Sequence, residues 1–299
     1  MSTSAARPAN AYQTKRNPPP GGIRFWLLRR QWLVHLGLVV VGFLYLYPFL
    51  WVLAGSFKTA GEFFRSGLGL IPQQLRWDNY AYAWSAGQFS TYFLNTVVLA
   101  VSVTLLVILF SSMAGYVLSK TNVPGKKLIL GGMVALMFLP GGYTIIPVFE
   151  LIQRLGLLNS IFAIILVQTA GAMIFNTLLF MGYFSTIGRE IEEAALIDGA
   201  NLPITYAMVM LPMAAPMVAT VGLFQFMQNW NAFWVPLVFT LGNPSLRTLA
   251  VGMYAFVGEN STGWTYICAG AIMSILPIMA VFFMLQRYFI EAVAGAVKA

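Results

Sequence analysis

Residues 192–201 read EEAALIDGAN, and with Glu190 just upstream this short segment holds four of the nine acidic residues in the chain. It lies between two long apolar runs. The chain around it has 299 residues, 59% of them hydrophobic and only 9% charged, whereas a soluble domain carries about 25% charged residues. Runs of about 20 apolar residues, enough to cross the hydrocarbon of a bilayer as helix, recur along its length. The composition therefore describes an all-α, multi-pass membrane protein.

Hydropathy and helix breakers place six spans at about 33–55, 92–118, 127–153, 158–184, 206–240 and 265–288. The fifth is too long for one straight crossing, so a bend is expected at Pro212 and Pro216. A Pro-rich arm, residues 1–32, precedes the first span, and residues 33–299 form the membrane domain. From Arg7 to Arg30 the arm holds six cations and no acid. The run from Leu33 is too long for a signal-peptide core and ends without an A-x-A site, so it reads as a first span.

Orientation follows from the basic residues, which accumulate on the cytoplasmic side of short loops. Of the 17 Lys and Arg, twelve fall on the side of the two termini and five, Lys58, Arg65, Arg76, Arg154 and Arg247, on the other. Both termini are thus expected in the cytoplasm. The net charge of +8 is scattered rather than gathered into a stripe with interleaved aromatics, which argues against nucleic acid. One cysteine, Cys268, and one histidine, His35, give no disulfide framework, metal-ligand set or catalytic constellation. No metal, cofactor or catalytic residue is expected. The long connection from Ser56 to Thr91 is rich in Trp and Tyr, suited to the outer interface, and is expected to hold a short surface helix.

The span interiors carry no central Asp, Glu, Lys or Arg, the groups on which ion-coupled carriers and proton relays depend. Uncharged amides stand there instead. They are densest in FQFMQNWNAFW, residues 224–234, where Gln225, Gln228 and Asn229 share one helix face by i, i+3, i+4 spacing. Amides beside aromatic rings suit a neutral, hydroxyl-rich solute, since they bond hydroxyls while a ring covers an apolar face. The candidate pathway set is Gln225, Gln228, Asn229, Asn231, Trp234 and Asn176. The same amides serve equally well as hydrogen-bonding links between helices or as a seam against a partner subunit.

By alternation of spans the loop of about 185–205, at the start of a segment of interest that runs to about 212, is cytoplasmic, and its acid runs against the bias of that side. The anionic inner leaflet repels such a loop, so a protein partner is its natural explanation. Locally it reads as helix, turn, helix. Ser185 or Thr186 is placed to cap the first helix, the glutamates complement its dipole, Gly199 suits the left-handed position after its end, and Asn201 with Pro203 restarts a second. An interfacial amphipathic helix is the plainer alternative.

EEAALIDGA with Gly199, followed by Leu211-Pro212, resembles the EAA loop of ABC-importer permeases. LGLLNSIFAIILVQ (155–168), NWNAFWVPL (229–237) and FIEAVAGAVKA (289–299) are similar to the maltose-type carbohydrate permeases, and the absence of a large external insertion resembles the smaller of their two permease subunits. The resemblance implies a transport subunit, not an enzyme, in a bacterial inner membrane. It implies a second homologous permease, a cytoplasmic ABC ATPase dimer, an extracytoplasmic sugar-binding protein and a carbohydrate substrate. Glu192, Glu193, Ala194, Ala195, Asp198 and Gly199 would form the element that couples to the ATPase. Two departures stand out: Thr186-Ile187-Gly188 where the family has a proline before the first glutamate, and Ala299 where it often ends in glycine. The chain has no Walker A sequence, so ATP hydrolysis would be supplied in trans. A secondary transporter or channel working alone is the competing class.

Overall fold

The protein is described here from a computed structural model covering residues 21–86, 88–139, 144–256 and 263–298; the first part of the arm and Ala299 lie outside the described residues. The regular elements among the described residues are all helices, with no strand. Helix α1 (Gly21–Ser56) is followed by two short helices, α2 (Ala60–Arg65) and α3 (Asp78–Ala86), and then by α4 (Phe89–Lys120). Next come α5 (Lys126–Met137), α6 (Ile145–Arg154) and α7 (Ile161–Thr186). The loop helix α8 (Arg189–Ile197) leads to α9 (Leu202–Thr205), a π turn (Tyr206–Met210), α10 (Leu211–Met213) and α11 (Ala215–Trp230). The chain closes with α12 (Trp234–Phe239), α13 (Leu249–Gly252) and α14 (Trp264–Lys298). Packing divides it into two units, residues up to Leu50 and residues from Trp51 onward.

Among the described residues four helices are long and apolar enough to cross a membrane: Gln31–Ser56, Phe89–Lys120, Ile161–Thr186 and Trp264–Gln286. Leu202–Met213 and Ala215–Trp230 pass the same test only as a pair, and they meet at 77° across Ala214. The bend has a local cause. Pro212 and Pro216 both lack the amide hydrogen that the helix ladder needs, and Ala214 between them leaves helical geometry at φ −86°, ψ 12°. The expected third span, 127–153, is not one helix but the pair α5 and α6, of 12 and 10 residues. Helices of that length reach only about 15–18 Å each. Pro140-Gly141-Gly142 stands between them in the sequence, a combination that removes a donor and lowers helix propensity.

The connection from Ser56 to Thr91 holds two short helices where one was expected. Phe57 packs edge-on against Trp77 at 4.8 Å and at a tilt against Tyr80 at 5.3 Å. Lys58, counted by sequence as an outer-side cation, is 1% exposed and donates to the Ser66 hydroxyl at 2.8 Å and to the Gly69 carbonyl. Its charge closes a loop instead of facing water.

Two apolar clusters hold the second unit together. Leu99, Val103, Val107, Phe180, Phe184 and Met210 belong to the larger, built on α4 and α7. Phe89, Tyr92, Ala100, Phe226, Trp230 and Leu249 form the smaller, where α4 meets α11 and α13. At Gly115 helices α4 and α7 approach so closely that a Cβ would stand 2.7 Å from Phe180 Cβ and 2.8 Å from Met181 N. No residue larger than glycine fits there without moving a helix.

Candidate functional site

The acidic loop begins where α7 ends. Ser185 and Thr186 donate their hydroxyls back to the Met181 and Tyr183 carbonyls, at 2.6 and 2.8 Å, so neither caps the helix ahead. That corrects the sequence expectation: Gly188 is the N-cap of α8, with φ −59° and ψ 148°. At the other end the expected glycine turn is present. Gly199 adopts φ +86°, its N–H donates to the Leu196 carbonyl at 3.0 Å, and the Ala200 N–H donates to Ala195 at 2.9 Å. These two bonds make a Schellman motif, which satisfies carbonyls that a helix end otherwise leaves open. Asn201 then accepts the Ile204 N–H at 3.1 Å and starts α9 with Pro203 in its first turn.

Successive residues on a helix point about 100° apart, so the six expected coupling residues cannot share a face. The structure divides them. Glu193, Ala194, Asp198 and Gly199 are exposed, in line with Glu190 and with Leu196 and Ile197, which are 58% and 86% exposed. Ala195 is buried and Glu192 is turned inward.

Glu192 meets α4. Its Oε1 accepts the Tyr116 hydroxyl at 2.9 Å and its Oε2 lies 3.6 Å from Lys120 Nζ. The two side chains of the ion pair are only 14% and 5% exposed. Lys120 also donates to the Ile187 carbonyl, tying down the residue that joins α7 to α8. Tyr116 packs against Phe184 and Tyr206 at ring distances of 5.7 and 5.5 Å, and the Tyr206 hydroxyl bonds Ser112 at 2.7 Å. None of Ser112, Tyr116, Lys120 or Tyr206 was singled out by sequence for this role. A signal existed, since Ser112, Tyr116 and Lys120 recur at i, i+4, i+8 and set three polar groups on one face of an apolar helix.

The amides lie elsewhere, between α7 and α11. A cavity of about 530 Å³ is lined by Gln225, Gln228 and Asn229 together with Gln168. A second, of about 770 Å³, takes Asn176, Asn231 and again Gln225 and Gln228. Trp234 lines a third, of about 410 Å³, with Val148, Val235 and Phe239. The alternative of links between helices does not describe them. Asn176 donates to Ala172, Asn229 to Gln225 and Asn231 to Met227, each four residues back on its own helix. Asn95 by contrast does join elements, donating to the Ser245 and Arg247 carbonyls at 2.8 and 3.0 Å.

Residues 108–295 match the family described as the binding-protein-dependent transport system inner membrane component. The chain belongs to that family. It is an ABC-importer permease of the maltose type, a transport subunit of a multi-pass inner-membrane system. The permease is 35% identical over 266 residues to the diacetylchitobiose uptake system permease protein NgcG of Streptomyces coelicolor, covering 88% of this chain and 86% of that one. It is 31% identical to the arabinooligosaccharides transport system permease protein AraQ of Halalkalibacterium halodurans, covering 89% and 96%. A chain from the crystal structure of a bacterial ABC transporter involved in alginate import shares the fold, with a TM-score of 0.76 at 24% identity over 90% of the permease and 98% of that chain.

Proposed function

We propose that the permease forms half of the translocation pathway of an ATP-driven carbohydrate importer and couples it to a separate ATPase through α8. It pairs with a second homologous permease, docks on a cytoplasmic ABC ATPase dimer and receives its solute from an extracytoplasmic binding protein. Both termini face the cytoplasm, with residues 1–32 as an arm ahead of a membrane domain at 33–299. The observation that carries the reading is the outward face of α8, where exposed Leu196 and Ile197 stand beside the carboxylates of Glu193 and Asp198. An apolar patch edged with acid suits a groove on a protein that offers Arg, Lys or backbone donors, and an anionic leaflet repels it.

Carbohydrate is supported from two sides. Relatives similar over most of the chain are named for diacetylchitobiose and arabinooligosaccharides. The lining residues of these three cavities include amides and a tryptophan but no ionisable side chain, which favours an uncharged, hydroxyl-rich solute. Glu193, Ala194, Asp198 and Gly199 supply the docking face, and Gln225, Gln228, Asn229, Asn231, Trp234 and Asn176 line the path.

Capture of the ATPase by the tagged permease in detergent tests the docking face directly. Glu193→Ala is expected to weaken capture while the permease stays in the membrane, and undiminished capture sinks the assignment. Uptake in vesicles driven by an ion gradient, with no ATPase present, would overturn the wider reading in favour of a secondary transporter.

A further inference from the structure

Glu192 and Glu193 are neighbours in sequence and stand on different faces of α8. Glu193 is exposed, whereas the Glu192 carboxylate reaches the Tyr116 hydroxyl at 2.9 Å and Lys120 Nζ at 3.6 Å. We infer that Glu192, Tyr116 and Lys120 form an internal latch that makes α8 and α4 move as one body, so that Glu192 is a positioning residue and not part of the docking face. The inference rests on α8 being the coupling helix, and its geometry stands whether or not an ATPase docks there.

Four features single out this contact. The ion pair is nearly closed to solvent, with side chains 5% and 14% exposed, and such a pair resists both salt screening and local opening far more than a surface pair. Lys120 bonds the Ile187 carbonyl as well, so one ammonium holds the end of α7 and the carboxylate of α8 together. Gly115, one residue before Tyr116, lets the α4 backbone press against both backbone and side chain of α7. The four-residue α9 and a π turn follow α8, and π turns break the regular ladder of hydrogen bonds. A push on α8 therefore passes to α4 and α7 through packed and hydrogen-bonded contacts, while the path toward α10 contains an irregular turn.

The latch can be tested on the full-length permease in lipid nanodiscs by amide hydrogen exchange of residues 189–201. Glu192→Gln, Lys120→Met and Tyr116→Phe are each expected to speed exchange there, by about tenfold for the charge-removing pair and less for the tyrosine. The Glu192→Gln/Lys120→Met double variant should exchange no faster than the faster single, because the two remove one shared interaction. Glu193→Gln should leave exchange unchanged. Equal effects of Glu192→Gln and Glu193→Gln, or an additive double variant, would overturn the latch. In the assembled importer, with Cys268→Ala and spin labels at Arg189→Cys and Val117→Cys, the distance between labels should be narrow and the same with and without MgATP. A shift on adding MgATP refutes movement as one body. ATPase capture is read in parallel: if Glu193→Ala leaves capture intact while the exchange results hold, the docking reading fails and the latch survives.

Discussion

The two ends of α7 differ in how they meet their neighbours. Toward Thr186 it is pressed against α4 where Gly115 admits no Cβ, and two polar sets, Lys120–Glu192–Tyr116 and Tyr206–Ser112, meet through the packed Tyr116 and Tyr206 rings. From Gln168 to Leu179 it stands off from α11 and leaves cavities of about 530 and 770 Å³ whose amides bond only within their own helices. One end is suited to carry displacement, because close packing and buried hydrogen bonds deform little. The other is suited to hold a solute, because its amides retain donors and acceptors beside apolar walls.

The largest effect is expected from closing the difference at the packed end. Gly115→Leu must separate α4 from α7, since even a Cβ falls 2.7–2.8 Å from Phe180 and Met181. A loss of about 3 kcal/mol, the upper end of the usual cost of overpacking, is expected, measured as a fall in thermal midpoint and in monodisperse yield. Normal stability in that variant would mean that the crossing is looser than the geometry states.

A smaller effect is expected at the turn beyond α8. Gly199 holds φ +86° with open space around its Cβ position, so Gly199→Ala meets no clash and loses only about 1 kcal/mol to left-handed strain. Gly199→Asp carries similar strain and a further charge, and should lower uptake while the protein still inserts. Transport equal to wild type in Gly199→Asp would separate the turn from coupling.

The smallest stability change belongs to the hollow end. Gln228 is exposed and lines two cavities, so Gln228→Ala should alter stability by no more than about 0.5 kcal/mol. Uptake of a neutral oligosaccharide should fall nonetheless. A variant that transports normally would remove Gln228 from the path and sharpen the contrast between a hollow and a solute site.

Much of this division was legible in the amino acids. The i, i+3, i+4 spacing of Gln225, Gln228 and Asn229 put them on one face, and they do line one cavity. Gly199 and Asn201 announced a turn and a cap through local backbone chemistry, which needs no distant partner. The third span was misread as continuous because hydropathy averages over a window and barely registers Pro140-Gly141-Gly142. The Ser185 or Thr186 cap was misread for a related reason: a hydroxyl can bond backward into its own helix as easily as forward.

By itself the sequence determined an apolar, multi-pass helical chain, the family, the glycine turn and the amide stripe, all of which depend on composition or on residues within a few positions of each other. Only the tertiary structure decided which way each residue of EEAALIDGAN faces. Glu192 is paired across 76 positions with Tyr116 and turned inward, while Glu193 beside it is left outside. Two adjacent glutamates have the same chemistry, and what distinguishes them is the rotation of α8 against α4, a property of packing that no local pattern encodes.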